Sequence, residues 1–262
     1  MSSPKPINRG IVQGSGAGPT LYIIMEGDLK ALSSNNLLFK YADDTNLLVD
    51  IKDEFNNVLK WAADNCMTVN LSKTKEIVFH RPSARYSLPS VITGIEQVVS
   101  TKLLGVTFSH NLKFDEHVKN ILTICNQCSY LLKCVKGQGI PFKELHTVFC
   151  ALIVSRILYA LPAWGGLLTA NLISKIDAYL CKALRWGYNG NVKLLSELHH
   201  DADMKLFKSM LHSTHCIHQL LPPLKFIPMK LRTSHCDFVL PYCHNSPWIS
   251  SGQVQLNRSA GS

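Results

Sequence analysis

The residues best equipped for chemistry in this 262-residue chain are two adjacent carboxylates, Asp43 and Asp44, preceded by Tyr41-Ala42. Short apolar runs flank them, Leu37 to Tyr41 on one side and Thr45 to Val49 on the other. That pattern predicts a β-hairpin with both acids at its tip. Two carboxylates this close cannot both be buried and ionised without a compensating cation. A divalent metal supplies one, and Mg²⁺ favours hard oxygen ligands, usually one or two carboxylates plus substrate phosphates. In phosphoryl transfer such ions activate the attacking oxygen and stabilise the leaving one. A bare Asp-Asp pair reads as a solvated turn; the tyrosine and the apolar flanks shift the reading toward a site.

Three further segments carry weaker signals. Arg9 to Pro19 is dense in glycine (Gly10, Gly14, Gly16, Gly18) and opens a helix. Its backbone could approach a base pair or phosphate, with Arg9 and Gln13 donating hydrogen bonds. Asn70-Leu71-Ser72-Lys73-Thr74-Lys75 is a polar turn with two lysines ahead of a strand. Leu103-Leu104-Gly105-Val106 is apolar around a glycine. Taken singly, these read as an ordinary glycine-rich loop, a solvated loop and plain strand core.

Periodicity predicts the elements that must position these residues. Thr20 to Leu32 is expected to be helical, with Pro19 near its start. Asp53 to Cys66 places Phe55, Val58, Leu59, Ala62, Ala63 and Cys66 on one helical face. Glu76 to His80 and Leu103 to Phe108 read as strands. From Phe114 the character changes to helical stripes. Val118, Ile121, Leu122, Cys125, Cys128, Leu132 and Val135 form one; Leu145, Val148, Phe149, Leu152, Ile153, Ile157 and Ala160 form another. Leu172 to Leu184 gives a third helix and Ala202 to Leu220 a fourth, ended by Pro222-Pro223. The expectation is an α+β fold: an antiparallel sheet with flanking helices over 1–110, an α-helical region over 111–221, and a tail over 222–262 with little regular structure.

Composition bounds the partners. A hydrophobic content of 46% allows a substantial core, and a net charge of +9 suits a polyanion such as nucleic acid. Nine cysteines, an odd count scattered over helical stretches, fit reduced thiols better than a disulfide framework. Without a charged-then-apolar leader at Met1, an intracellular setting, nucleus or cytoplasm, is expected. Thr147 to Leu168 is the most membrane-like stretch, but Arg156, Pro162 and the helical stripe predict a buried helix, and no membrane partner is expected.

In this order the four segments resemble the non-LTR retrotransposon (LINE-type) reverse transcriptases. The resemblance rests on Arg-Gly-x-x-Gln-Gly-Ser-x-x-Gly-Pro from Arg9 to Pro19, Tyr-Ala-Asp-Asp from Tyr41 to Asp44, and Trp-x-x-x-Asn from Trp61 to Asn65. Asn-Leu-x-Lys-Thr from Asn70 to Thr74 and Leu-Gly-Val from Leu104 to Val106 complete it. It runs from Arg9 to about Trp186 and implies a partial polymerase palm followed by a thumb-like helical domain that grips the duplex. It further implies RNA-directed DNA polymerase chemistry on an RNA template and DNA primer, with Mg²⁺ or Mn²⁺ held by Asp43 and Asp44. Lys73 would serve the triphosphate and donate a proton to leaving pyrophosphate. Tyr41 would lie near the primer terminus, Arg9, Gln13 and Gly14 along the template and nascent base pair, and Leu104 and Gly105 at the primer end. One departure is Ile11-Val12, where the family commonly carries Val-Pro.

The resemblance also implies a further catalytic aspartate on a strand before Arg9, pairing with the hairpin. Residues 1–8 hold no acid. Little activity is therefore expected of these residues alone, and the apolar hairpin edge is expected to need a covering partner. A non-catalytic nucleic-acid-binding protein and a decayed product that folds poorly are the alternatives. Cys125-x-x-Cys128 lies within a helical stripe and reads as core. The group His212, His215, Cys216, His218, His235, Cys236, Cys243 and His244 fits no tetrahedral pattern, so zinc is not expected.

Overall fold

A computed structural model describes residues 15–34, 36–42, 44–48, 52–80, 89–188, 190, 193–224 and 238–239. The chain divides into two compact units. One takes the residues up to Leu103 together with Phe108–Leu112; the other takes Leu104–Thr107 and the residues from Lys113 onward.

The first unit mixes short strands and two helices. Helix α1 (Gly18–Glu26) starts with Pro19 in its first turn, where a missing N–H costs nothing. Strands β1 (Leu37–Tyr41) and β2 (Asp44–Leu48) pair antiparallel. Helix α2 (Lys52–Asp64) opens with Asp53 and Glu54 at its positive end and buries Phe55, Val58 and Ala62. It stops where Cys66 turns left-handed (φ +56°), with Met67 N–H donating back to the Ala62 carbonyl at 2.7 Å.

Glu54 is an acid on the buried stripe, 2% exposed. Its carboxylate accepts the Leu32 N–H at 3.0 Å and the Asn36 amide at 2.8 Å, fastening the α1–β1 connection to α2. Strands β3 (Lys75–Glu76) and β4 (Glu96–Gln97) pair parallel. The strand expected from Glu76 to His80 is thus shorter, because its partner offers only two residues. Farther on, the His80 N–H donates instead to the His110 carbonyl at 3.1 Å.

Strands β5 (Ser100–Leu103) and β6 (Val106–Ser109) form a further two-stranded sheet. The expected single strand from Leu103 to Phe108 is corrected to a reversal. Leu104 (φ +44°) and Gly105 (φ +88°) are both left-handed, the combination of a type I′ turn. Among the described residues the strands form three separate pairs, one of them parallel, rather than one antiparallel sheet. The α+β class stands.

The second unit is helical. Helix α3 (Asp115–Gly137) buries Val118, Ile121, Cys125, Ser129 and Leu132 along one stripe. Helix α4 (Phe142–Phe149) runs into a π-helical segment (Cys150–Val154) and then α5 (Ser155–Leu158). Leu145, Phe149, Ile153, Ile157 and Leu161, spaced by fours, are all buried. On an ideal α-helix each step of four drifts about 40° around the axis. The wider i→i+5 turn of a π segment absorbs that drift and keeps the stripe facing the core.

By length and composition Phe142–Leu167 could cross a membrane. It is broken at Ala160 (φ +51°), resuming as α6 (Leu161–Trp164) and a 3₁₀ turn, and its stripe is core. Helices α7 (Ala170–Arg185) and α8 (Leu195–Met210) complete the unit. The fourth helix expected over Ala202 to Leu220 begins earlier and ends at Met210. Backbone turns replace the helix there, His212 N–H donating to the Ser209 carbonyl at 3.2 Å and His215 N–H to the His212 carbonyl at 3.0 Å, and beyond them lies only a 3₁₀ turn, His218–Leu220. In the tail, Leu224 and Phe238 form an antiparallel bridge.

Candidate functional site

The β1–β2 register pairs Leu37 with Leu48, Phe39 with Asn46, and Tyr41 with Asp44. Tyr41 pairs directly with Asp44 at the closed end of the hairpin. Ala42 takes φ +52°, as primed hairpin turns require at their first central residue and as alanine resists. Asp43 itself lies outside the described residues. Strand alternation puts Leu37, Phe39 and Tyr41 on one face with Asp44 and Leu48, and all five are exposed, Tyr41 at 65%. Asp44 therefore stands on the open face, directly across from the Tyr41 phenol.

The other face is fastened to α1. Lys40 Nζ donates to the Glu26 and Leu29 carbonyls, the latter at 2.8 Å, placing a cation at the negative end of the helix. Thr45 Oγ1 donates to Glu26 Oε1 at 2.9 Å. The side chains alternating with Tyr41 and Asp44 thus set where the turn stands relative to α1.

Arg9, Gln13 and Gly14 lie outside the described residues. The same glycine-rich segment continues as a turn in which Gly18 N–H donates to the Ser15 carbonyl at 3.1 Å and leads into α1. Lys73 sits in a turn nucleated by Asn70. The Asn70 side-chain oxygen accepts Ser72 Oγ at 2.7 Å and Lys73 N–H at 3.2 Å; its carbonyl accepts Thr74 N–H at 3.1 Å and Thr74 Oγ1 at 2.9 Å. That knot explains asparagine and threonine four residues apart, and it leaves Lys73 exposed.

Leu104 and Gly105 form the turn of the β5–β6 hairpin and belong to the helical unit. Tyr159 Oη donates to the Leu104 carbonyl at 2.7 Å, and a Cβ on Gly105 would lie 3.1 Å from the Tyr159 ring. Trp164 Nε1 in turn donates to the Tyr159 carbonyl at 3.0 Å, and His117 stacks edge-on against Trp164 at 4.9 Å. His117 Nδ1 accepts the Thr107 N–H at 3.3 Å. The turn is thus held from both ends by residues of the helical unit. Sequence reading missed Tyr159 because the contact spans 55 positions. The acid inside the α2 stripe, by contrast, was a signal for Glu54.

The structure thus places Tyr41 and Asp44 together, Lys73 in another turn of the same unit, and Leu104-Gly105 in the other unit. Asp44 is a hard oxygen donor on an open face, which suits Mg²⁺ in kind. Among the described residues, no group of three or more His, Cys, Asp or Glu is arranged to hold a metal ion. Cys125 is fully buried, and its thiol is pushed up from 9.0 to about 12, first by burial and then by Cys128, with Arg156 acting the other way. Such a thiol stays protonated and acts as core. His218 Nδ1 lies 2.7 Å from the Met210 carbonyl, and His235, Cys236, Cys243 and His244 fall outside the described residues.

Three proteins of Drosophila melanogaster are similar to the chain. An RNA-directed DNA polymerase from mobile element jockey is 26% identical over 208 residues, 70% of this chain and 22% of the relative. A protein described as a "probable RNA-directed DNA polymerase from transposon BS" is 24% identical over 206 residues, covering 70% and 23% of the two chains. A 115 kDa protein assigned to the type-1 retrotransposable element R1DM is 27% identical over 177 residues, covering 61% and 17%. The chain therefore spans about a fifth of the length of these relatives. No family model matches it, and no solved structure matches it. Over 70% of its length this chain is similar to RNA-directed DNA polymerases of mobile elements, in agreement with the retrotransposon reverse transcriptases that its ordered motifs resemble.

Proposed function

We propose that this chain is a stretch of a reverse transcriptase in which the β1–β2 hairpin presents Asp43 and Asp44 to a divalent metal during nucleotidyl transfer. The observation that carries the reading is the closure of Tyr41 on Asp44 across a strained turn, on an open face. Strain at a hairpin tip that carries acids is what a site, rather than a solvated loop, gives reason to keep. In this reading the first unit is part of a palm and the helical unit a thumb.

Asp43 and Asp44 would hold Mg²⁺ or Mn²⁺, which when bound supplies charge neutralisation at the transferring phosphate. Tyr41 packs near the primer terminus. Lys73, exposed on its turn, meets the triphosphate and donates a proton to the leaving pyrophosphate. Leu104-Gly105 holds the primer end, and Arg9, Gln13 and Gly14 line the template. A further carboxylate, from a strand pairing with the hairpin, completes the metal site. The 262 residues assayed by themselves therefore bind primer–template without extending it. The setting is intracellular.

The test is a labelled DNA primer annealed to an RNA template, with deoxynucleotides and Mg²⁺ or Mn²⁺. The expected result is binding that weakens steeply with salt, persists in the Asp43→Asn, Asp44→Asn double variant, and yields no extension. Robust extension by this chain alone would overturn the need for a further ligand. Absence of salt-sensitive binding would overturn the nucleic-acid reading.

A further inference from the structure

Helices α3 and α7 run parallel. Ser129 meets Tyr179 at 2.6 Å and Lys136 meets the Trp186 carbonyl at 2.6 Å, two contacts seven residues along both helices with the same offset of 50. Their C-termini therefore end side by side. A buried network fixes that register: Tyr179 Oη donates to the Cys125 carbonyl at 2.9 Å, and Tyr188 Oη donates to the Ser129 carbonyl at 3.3 Å.

Three cations stand in the last turns, Lys136 on α3 with Lys182 and Arg185 on α7, and Lys133 lies one turn back on α3; all four are exposed. Lys182 Nζ stands 4.8 Å over the Trp186 ring, which is half-buried beneath it. No acid lies on α3 after Glu116, roughly 25 Å back along the helix. On α7 the acid is Asp177, whose carboxylate already accepts the Leu195 N–H at 2.7 Å.

The plain role for such cations is to neutralise helix ends. Two macrodipoles together present only about one negative charge, against four positive ones. The excess of about three has no carboxylate within either helix end to answer it.

We infer that the paired C-terminal ends of α3 and α7 form a docking surface for a nucleic-acid backbone, with Lys133, Lys182 and Arg185 neutralising phosphates over the Trp186 ring. The inference rests on the reading of the chain as part of a nucleic-acid polymerase, and charge excess beside an aromatic face is what selects this occupant. Lys136 is left out of the contact set because its ammonium already serves the Trp186 carbonyl.

The experiment titrates a fluorescent RNA–DNA duplex with the full chain at several salt concentrations. It compares wild type, Lys133→Gln/Lys182→Gln/Arg185→Gln, and a control with equal charge loss, Lys175→Gln/Lys205→Gln/Lys208→Gln. Circular dichroism verifies folding, and tryptophan fluorescence of wild type against Trp186→Phe gives an independent readout. The patch variant should bind at least about tenfold more weakly near 0.15 M salt, with the salt slope reduced by about 2 to 3. The control should stay within about threefold, and the duplex should alter the Trp186 emission. Equal losses in both variants, or no Trp186 response, would overturn the inference while leaving the nucleic-acid reading intact. Binding to phosphatidylserine vesicles that the patch variant loses while keeping the duplex would also overturn it. A wild-type chain that binds no duplex would overturn both.

Discussion

Gly105→Ala isolates the physics of the β5–β6 turn. The new Cβ meets two penalties: a left-handed backbone at φ +88°, and a contact 3.1 Å from the Tyr159 ring. An L-residue in that backbone region costs about 1–2 kcal/mol. The contact is tighter than van der Waals, so the ring must move by a few tenths of an ångström. That motion disturbs the 2.7 Å bond from Tyr159 Oη to the Leu104 carbonyl, worth about 0.5–1 kcal/mol for a tyrosine that is 54% exposed. The expected total is about 2–3 kcal/mol in a Tyr159 background and about 1–2 kcal/mol with Tyr159→Ala, a coupling of about 1 kcal/mol. Urea unfolding with a constant slope measures each corner of the cycle. Leu104→Asn supplies the opposite sign: Asn-Gly suits a type I′ turn, and the variant should gain about 0.5–1 kcal/mol. A Gly105→Ala cost below about 0.5 kcal/mol, or equal costs in both backgrounds, would refute the reasoning.

Two further outcomes concern stability. Glu54→Ala leaves the Leu32 N–H and the Asn36 amide without their buried acceptor and should destabilise the first unit by about 2–4 kcal/mol, measured by urea unfolding; a loss under about 0.5 kcal/mol would contradict the role given to Glu54. Burial raises the Cys125 thiol from 9.0 to about 12 and also raises the Tyr179 phenol. A folded-state pKa raised above the unfolded one gives stability that is complete below the unfolded value and lost as pH rises through the folded one. The melting temperature of the helical unit should therefore fall between about pH 9 and 12, less steeply in Cys125→Ala. A flat profile across that window would count against the buried network.

Local pattern carried much of the fold. The alternation around Asp43-Asp44 gave the hairpin, since strand and turn preferences act within a few residues and here agree. The stripes of α3 and α7 were legible for the same reason. The Leu104-Gly105 reversal was not, because leucine occupies a position where asparagine or glycine normally announces a type I′ turn. Its conformation is held by Tyr159, which no short window contains. The π segment was hidden in plain spacing: buried residues every four positions do not fit an ideal α-helix, yet read as an ordinary apolar face. At the candidate site, the motifs pointed to Tyr41, Asp44, Lys73, Leu104 and Gly105; the structure pairs Tyr41 with Asp44, leaves Lys73 exposed beside the Asn70–Thr74 knot, and makes Leu104-Gly105 a turn. The supports, Lys40 and Thr45 on Glu26 and Tyr159 on Leu104, depend on contacts between distant residues, and composition does not disclose them.

The central claim is that the hairpin is a metal-binding element of a polymerase, and Mn²⁺ reports on it directly. With the chain bound to primer–template and a nucleoside triphosphate, paramagnetic broadening of backbone amide signals would be recorded during a Mn²⁺ titration. The predicted result is broadening centred on Ala42 to Thr45, abolished in the Asp43→Asn, Asp44→Asn variant while duplex binding persists. Broadening that is absent from this turn, or unchanged in the variant, would contradict it.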